Sequence, residues 1–310
     1  MQSVQMLSIK AFISVFRQVL FVHKTEANTI RVGFERASNI TKFPRFVKRE
    51  DLKYADIDGS WFTPDGFSKS KTILYFHGGG YVMGSHHSHR SLIARIARAS
   101  NCKALAINYR KAPENPYPAA VEDALKTYKQ MIVDGYENIF IMGDSAGGGL
   151  TLALLQLIRK HKLSKAAGAV LLSPWTDLTL SGDSIETKKD EDALISRHLL
   201  EIYSKRYYAE SDPTNPLISP LFADFKGFPP TLIQVGGSEV LFDDAIRLAQ
   251  KMNKANVNVQ LEIYDKMMHV WQFFAGIVPE GNKAISEIGD FVKSINVSTK
   301  TDKLEALEVY

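Results

Sequence analysis

The chain has 310 residues, of which 45% are hydrophobic and 23% are charged, so it can form both a large core and a polar surface. Its 38 basic and 34 acidic residues give a formal net charge of +4 without a dense basic block, so a nucleic-acid partner is not expected. The single cysteine, Cys102, excludes an internal disulfide and fits a reducing compartment, so we expect a cytoplasmic protein.

The first 23 residues form an apolar segment that predicts an amphipathic helix. Lys10 and Arg17 interrupt it, its uncharged runs are too short to span a membrane, and no small-x-small cleavage site follows. Two interpretations stay open for its apolar stripe: packing on the protein body or contact with a lipid surface. The residues of the stripe are Met6, Ile9, Phe12, Ile13, Val15, Phe16, Val19, Leu20 and Val22.

The remainder of the chain alternates strands and helices after an irregular start. Residues 27–46 are predicted to be irregular, and residues 46–61 alternate polar and apolar side chains, which indicates antiparallel strands at a sheet edge. Further strands are predicted at residues 71–76, 104–109, 139–142, 168–172, 231–235 and 259–264. Helices are predicted at residues 85–99, 119–133, 150–161, 242–255 and 282–296. This order predicts an α/β protein with a mostly parallel central sheet and helices on both faces.

A polar stretch at residues 178–226 interrupts the alternation and contains a helix predicted at residues 196–208. An insertion between core strands is a usual place for a cap over a site. We therefore divide the chain into an N-terminal segment, 1–45, a core made of 46–177 and 227–297, and a cap insertion, 178–226. A polar tail, 298–310, follows the core.

The sequence Gly143-Asp144-Ser145-Ala146-Gly147 joins a buried strand to an Ala/Leu-rich helix. A G-x-S-x-G sequence in this context is typical of a nucleophile elbow, where a serine sits in strained backbone with its Oγ exposed. The helix that follows directs backbone N–H groups at a developing oxyanion. Ser145 is therefore the candidate nucleophile.

The first buried strand leads into His77-Gly78-Gly79-Gly80. Three glycines in a row let backbone N–H groups approach a ligand closely, and an HGGG sequence after a strand can serve as an oxyanion hole. The alternative, a flexible glycine loop, does not explain its place one strand-helix-strand unit before the elbow.

A nucleophilic serine requires a base and a carboxylate that orients it. His269 follows the last strand and completes the order serine, acid, histidine that is typical of α/β-hydrolases. The acid should follow the strand that ends at Val235, where Glu239 is preferred and Asp243 remains an alternative. His86, His87 and His89 form a cluster without a suitable partner, so no metal site is expected there.

Several motifs together resemble the hormone-sensitive-lipase-like family of esterases. They are HGGG from His77, NYRKAPE from Asn108, GDSAGG from Gly143, SPWTD from Ser173, PPT from Pro229, and His269-Val270. The resemblance implies an oxyanion hole at Gly79, Gly80 and Ala146, with Gly78 as a further candidate. It also implies that segment 1–45 joins insertion 178–226 in a helical cap. Most members carry aspartate where this chain has Glu239, whose longer side chain can reach the same histidine nitrogen.

These observations predict a serine carboxylesterase of α/β-hydrolase fold that cleaves short- to medium-chain acyl esters without a cofactor. Substrate contacts are expected at Tyr81, Trp175, Tyr208 and Val270. Two alternatives are an amide or formamide hydrolase with the same triad and a non-catalytic ligand-binding relative. A small ester is the expected partner, and the last strand is a candidate edge for a homodimer.

Overall fold

The computed structural model describes residues 2–20 and 27–297, and only the backbone of residues 15–20. Five stripe residues (Val15, Phe16, Val19, Leu20 and Val22) and the predicted tail 298–310 therefore lie outside the described side chains. The described residues form one eight-stranded sheet with the strand order β1-β2-β4-β3-β5-β6-β7-β8. Its strands are β1 Val47–Tyr54, β2 Ile57–Pro64, β3 Ser68–Phe76, β4 Cys102–Ile107, β5 Ile139–Asp144, β6 Gly168–Leu172, β7 Thr231–Gly236 and β8 Val259–Tyr264.

The sheet is parallel from β4 to β8, and β1 and β2 extend it as an antiparallel edge. The prediction of a mostly parallel sheet with two antiparallel edge strands is therefore confirmed. Strand β2 extends three residues beyond the predicted stretch 46–61, because it continues through Pro64, which pairs with Val47.

Helices cover both faces of the sheet, as predicted. The helices are α1 Val4–Leu20, α2 Ala27–Ala37, α3 Arg90–Ser100, α4 Ala119–Val133, α5 Ala146–Lys160, α6 Ser184–Thr187, α7 Arg197–Tyr208, α8 Phe242–Lys254 and α9 Pro279–Ser294. Successive side chains of a strand point to opposite faces, so Leu74 and Phe76 belong to the core under α4, α5 and α8. Ile73 and Tyr75 belong to the other core, under α3 and α9.

The prediction of an irregular stretch at residues 27–46 is wrong, because α2 occupies the first part of it. None of the α2 side chains is buried, so the usual apolar signal of a packed helix is weak. Contacts distant in sequence hold it instead. Arg31 donates to the carbonyl oxygens of Val82 and Ala112, at 2.7 and 2.8 Å, and forms an ion pair with Glu114.

Helix α1 lies on the loop between β8 and α9. Met6 is buried against Met267, Met268 and Trp271, and Ser3 donates to the carboxylate of Glu280. Of the two interpretations of the apolar stripe, packing on the body therefore holds for Met6. In the part of the chain that the structure describes, no helix is both long enough and apolar enough to cross a bilayer.

Candidate active site

Ser145 lies at the sharp turn between β5 and α5, at the carboxyl edge of the sheet. Its backbone adopts φ 52° and ψ −121°, a conformation that side chains rarely take. The turn is held because the Ser145 N–H donates to Leu172 O at 2.8 Å and the Ser145 carbonyl accepts from Trp175 N at 3.0 Å. A Cβ on Gly147 would collide with the carbonyl oxygen of Phe76, so the elbow requires glycine there.

His269 is oriented by Glu239 across the ends of β7 and β8. The distance between His269 Nδ1 and Glu239 Oε1 is 3.2 Å, and both side chains are buried. Glu239 Oε2 accepts from Ser173 Oγ at 2.8 Å and from the Gly236 N–H at 3.0 Å. These two donors fix the carboxylate, so it holds the imidazole in one orientation.

The pKa of His269 is raised above its ordinary value of 6.5. Burial opposes the charged ring, but the hydrogen bond and negative charge of Glu239, with smaller contributions from Asp192 and Asp144, outweigh it. The site therefore stabilises the imidazolium that forms when the ring accepts a proton.

The geometry favours Glu239 over Asp243 as the partner of His269. Asp243 lies in the first turn of α8, where its Oδ2 accepts from the Ser184 N–H at 2.8 Å. Asp243 thus joins the cap insertion to α8 and is not the residue that contacts the histidine.

The loop after β3 presents backbone donors beside Ser145. Among the residues that the structure describes, none accepts a hydrogen bond from the N–H groups of Gly79, Gly80 or Ala146. Gly79 and Gly80 have φ values of 118° and 62°, which glycine adopts readily. The N–H of Gly78 donates to Asp144 Oδ1 at 3.0 Å, so the suggestion that Gly78 assists the oxyanion hole is wrong.

Asp144 was not singled out from the sequence, yet it connects the elbow to the glycine loop. Besides Gly78, its carboxylate accepts from Tyr75 Oη at 2.8 Å and pairs with His89 Nε2 at 3.2 Å. Burial opposes its charge, but His89 and these hydrogen bonds lower the pKa of Asp144 below its usual range. A buried charged residue with this many partners is expected to fix the positions of both loops.

The cluster of His86, His87 and His89 splits into three separate contacts. His86 Nδ1 lies 2.5 Å from Ser60 Oγ, His87 contacts Arg49, and His89 faces Asp144. No group of three residues suited to holding a metal occurs among residues 2–20 and 27–297.

A cavity of about 570 Å³ opens above the elbow and contains Ser145 and His269 in its walls. Its lining is mainly apolar and includes side chains of α1, α2 and α7. Two of the predicted substrate contacts, Trp175 and Val270, line it.

The other two predicted contacts, Tyr81 and Tyr208, do not line the cavity, and that prediction is corrected here. The ring of Tyr81 stacks on Tyr207 at 3.7 Å beneath the cap, and the tyrosine of α7 that reaches the cavity is Tyr203. Helix periodicity explains the second error, since Tyr203 and Tyr208 are five residues apart and face different directions. Sequence spacing could not show which face of α7 pointed inward.

Known proteins resemble this chain over most of its length. A family described as alpha/beta hydrolase fold matches residues 73–273. The chain is 42% identical over 271 residues to an acetyl-hydrolase of Streptomyces hygroscopicus, covering 87% of this chain and 90% of that protein. It is 35% identical over 233 residues to an esterase of Acinetobacter venetianus, covering 74% and 77% respectively.

Solved structures agree with these matches. An esterase from the bacterial hormone-sensitive lipase family superposes with a TM-score of 0.91 at 36% identity, covering 95% of this chain and 99% of that one. An esterase/lipase from an uncultured bacterium gives 0.89 at 38% identity, covering 94% and 98%. Fold and site together define an α/β-hydrolase. Within that class, the chain belongs to the hormone-sensitive-lipase-like family.

Proposed function

We propose that this protein is a serine carboxylesterase with the triad Ser145, His269 and Glu239. The observation that supports this most directly is the buried contact between His269 Nδ1 and Glu239 Oε1, because His269 lines the same cavity as the strained Ser145. The relatives that are named esterase and acetyl-hydrolase also support this proposal.

In the proposed mechanism, Ser145 Oγ attacks the ester carbonyl while His269 Nε2 takes its proton. Glu239 keeps Nδ1 protonated and stabilises the imidazolium. The negative oxygen of the tetrahedral intermediate accepts hydrogen bonds from Gly79, Gly80 and Ala146, whose N–H groups have no acceptor among the described residues. His269 then protonates the leaving alcohol, and water attacks the acyl-enzyme by the same sequence in reverse.

We propose short- to medium-chain acyl esters as the substrates. Segment 1–45 and insertion 178–226 serve as the cap in this proposal, because Ile13 of α1, Ile30 of α2 and Leu199 of α7 all line the cavity. A covered apolar cavity of about 570 Å³ favours a small acyl ester over a long chain in an emulsion. No step of this mechanism calls for a cofactor.

The decisive test is Ser145→Ala, assayed with a soluble butyrate ester. Loss of the Oγ should abolish turnover while the fold, followed by circular dichroism, stays unchanged. A control in the helix that follows the elbow is Thr151→Ser in α5, which keeps its hydroxyl hydrogen bond to Gly147 O and should retain activity. Turnover of Ser145→Ala above a few per cent of the wild type would refute the assignment.

We propose further that the protein is cytoplasmic. Cys102 is a buried free thiol, and burial raises its pKa to about 11, so it is inert and gives no sign of disulfide chemistry. Cell fractionation with an antibody to the chain would test this location.

A further inference from the structure

A short segment of the cap insertion, residues 188–192, clamps the loop that carries Glu239. Three contacts cross between them. Lys188 Nζ donates to Gly237 O at 2.6 Å, Ser238 Oγ donates to Glu191 Oε2 at 3.1 Å, and the Val240 N–H donates to Asp192 Oδ2 at 2.9 Å. These contacts lie on both sides of Glu239, so the cap fixes the position of the loop that holds the triad acid.

Asp192 is the buried member of this clamp, whereas Glu191 beside it is exposed. Its second oxygen, Oδ1, accepts from the N–H groups of Leu194 and Ile195, both at 2.8 Å. Leu194 and Ile195 also form part of the cavity wall. One carboxylate therefore orders the substrate cavity on one side and the acid loop on the other.

We propose that Asp192 is a positioning residue for the hydrolysis, because it seats the cap on the loop that carries Glu239 and thereby holds Glu239 against His269. The inference rests on the triad proposed above. It adds a function for the cap beyond covering the substrate, because the cap then holds the proposed triad acid in place.

The electrostatics of the site agree with this geometry. His269 is influenced by three carboxylates, Glu239, Asp192 and Asp144, and all three raise its pKa. Burial raises the pKa of Asp192, whereas the charge of His269 lowers it. Lys10 of α1 also faces Asp192 and Glu191. A neutral residue at position 192 should therefore make His269 a weaker base.

The test is Asp192→Asn, which removes the charge and keeps one acceptor. Its oxygen can still accept from the Leu194 and Ile195 N–H groups, while its NH2 group cannot accept from the Val240 N–H. The acid limb of kcat/KM should move to lower pH than in the wild type. We expect kcat at pH 8 to fall by about two- to ten-fold, far less than the 10³- to 10⁴-fold or so expected when a triad carboxylate is neutralised. The matched control is Asp190→Asn, which removes an exposed charge from the same segment at a residue outside the three clamp contacts and should keep the wild-type pH profile.

A second measurement works without turnover. In a Ser145→Ala background, the His269 ring is titrated by NMR with and without Asp192→Asn, and its midpoint should be lower in the double variant. The two measurements together distinguish the proposed triad from the proposed role of Asp192. Activity that survives Ser145→Ala would refute the triad. A Ser145-dependent enzyme whose acid limb and His269 titration are unchanged by Asp192→Asn would refute only the role of Asp192.

Asp192→Ser is a second test variant, to be used if Asp192→Asn does not fold. Its hydroxyl can accept from the Leu194 or Ile195 N–H as serines do in turns, and the same downward shift is expected. Failure of both variants to fold would also overturn the proposal, because Asp192 would then be required for the fold as a whole and not for positioning the triad acid.

Discussion

Glu239 and Asp243 are four residues apart, and the structure gives them different partners. Glu239→Gln keeps the size of the side chain but removes the charge that stabilises the imidazolium. We expect kcat to fall by on the order of 10³ to 10⁴, as for the corresponding change in serine proteases. Steady-state kinetics at pH 8 would measure the loss.

The comparison variant is Asp243→Asn. Its carboxylate accepts from the Ser184 N–H and lies in the first turn of α8, where it complements the helix dipole. That contribution is about 0.3–1 kcal/mol, so stability should fall slightly while kcat hardly changes. A severe loss for Asp243→Asn together with an active Glu239→Gln would transfer the role of acid to Asp243.

The pH dependence of kcat/KM should report the raised pKa of His269. The base acts only when neutral, so activity should fall as the pH drops through that pKa, with a midpoint above 6.5. Because Glu239 raises the pKa, Glu239→Gln should move this midpoint to lower pH. The measurement is a kcat/KM profile from pH 5 to 9, and a midpoint that does not move would contradict the assignment.

At the scale of elements, α1 is predicted to complete the cavity, since Ile9 and Ile13 line it. Met6 attaches α1 to the body of the protein, because its side chain is buried against Met267 and Trp271. Met6→Ala should remove about 2–5 kcal/mol of packing, most of it from the docking of α1. We expect KM for a butyrate ester to rise about ten-fold, since binding energy from the cavity wall is lost.

Leu7→Ala is the matched control for Met6→Ala. Leu7 is the next residue of α1, has a side chain of similar size and is 53% exposed. Its truncation should leave KM within about two-fold of the wild type, because exposed substitutions usually change stability by less than 0.5 kcal/mol or so. Equal effects of the two variants would show that α1 does not act through its buried face.

The sequence predicted correctly those elements whose stability depends on local residues. The strands β6 and β8 and the helix α4 end where expected, because apolar runs and flanking breakers determine them locally. Helix α3 begins at Arg90, five residues later than expected, because Ser85 Oγ accepts from the His87 and Ser88 N–H groups and holds a turn first.

The same distinction between local and long-range determinants applies to the candidate site. Ser145, Glu239 and His269 follow strands at the same edge of the sheet, so their motifs and order were sufficient to bring them together. Asp192 could not be found in this way, because its role depends on how the cap insertion folds back over residues 237–240. Gly78 was misjudged because its N–H is occupied by a side chain 66 residues away in sequence.

At the scale of the whole molecule, the size of the cavity should set the acyl preference. A series of soluble esters with increasing acyl length should show kcat/KM highest for short to medium chains, since a longer chain must displace the cap. Hydrolysis of emulsified long-chain triglyceride as fast as of a butyrate ester would contradict a covered cavity.

A homodimer through β8 is a further expectation. This strand is the last of the sheet and has one edge unpaired among the described residues, with Ile263 50% exposed on it. An open edge can pair with its own copy about a two-fold axis. Light scattering at micromolar concentration should give the mass of a dimer, and Ile263→Lys should shift it toward the monomer. A monomeric wild type would reject this arrangement.

The proposed nucleophile and base follow strands at different places in the sheet. Ser145 follows β5, which is paired on both sides in the middle of the sheet, whereas His269 follows β8 at the margin. Amides at a margin exchange with solvent through small local openings, while central amides exchange only when the whole domain opens. We therefore expect a local opening at β8 to displace His269 briefly while Ser145 stays in position. Heat or urea should inactivate the enzyme before its helices melt, and removal of the stress should restore activity without refolding of the core.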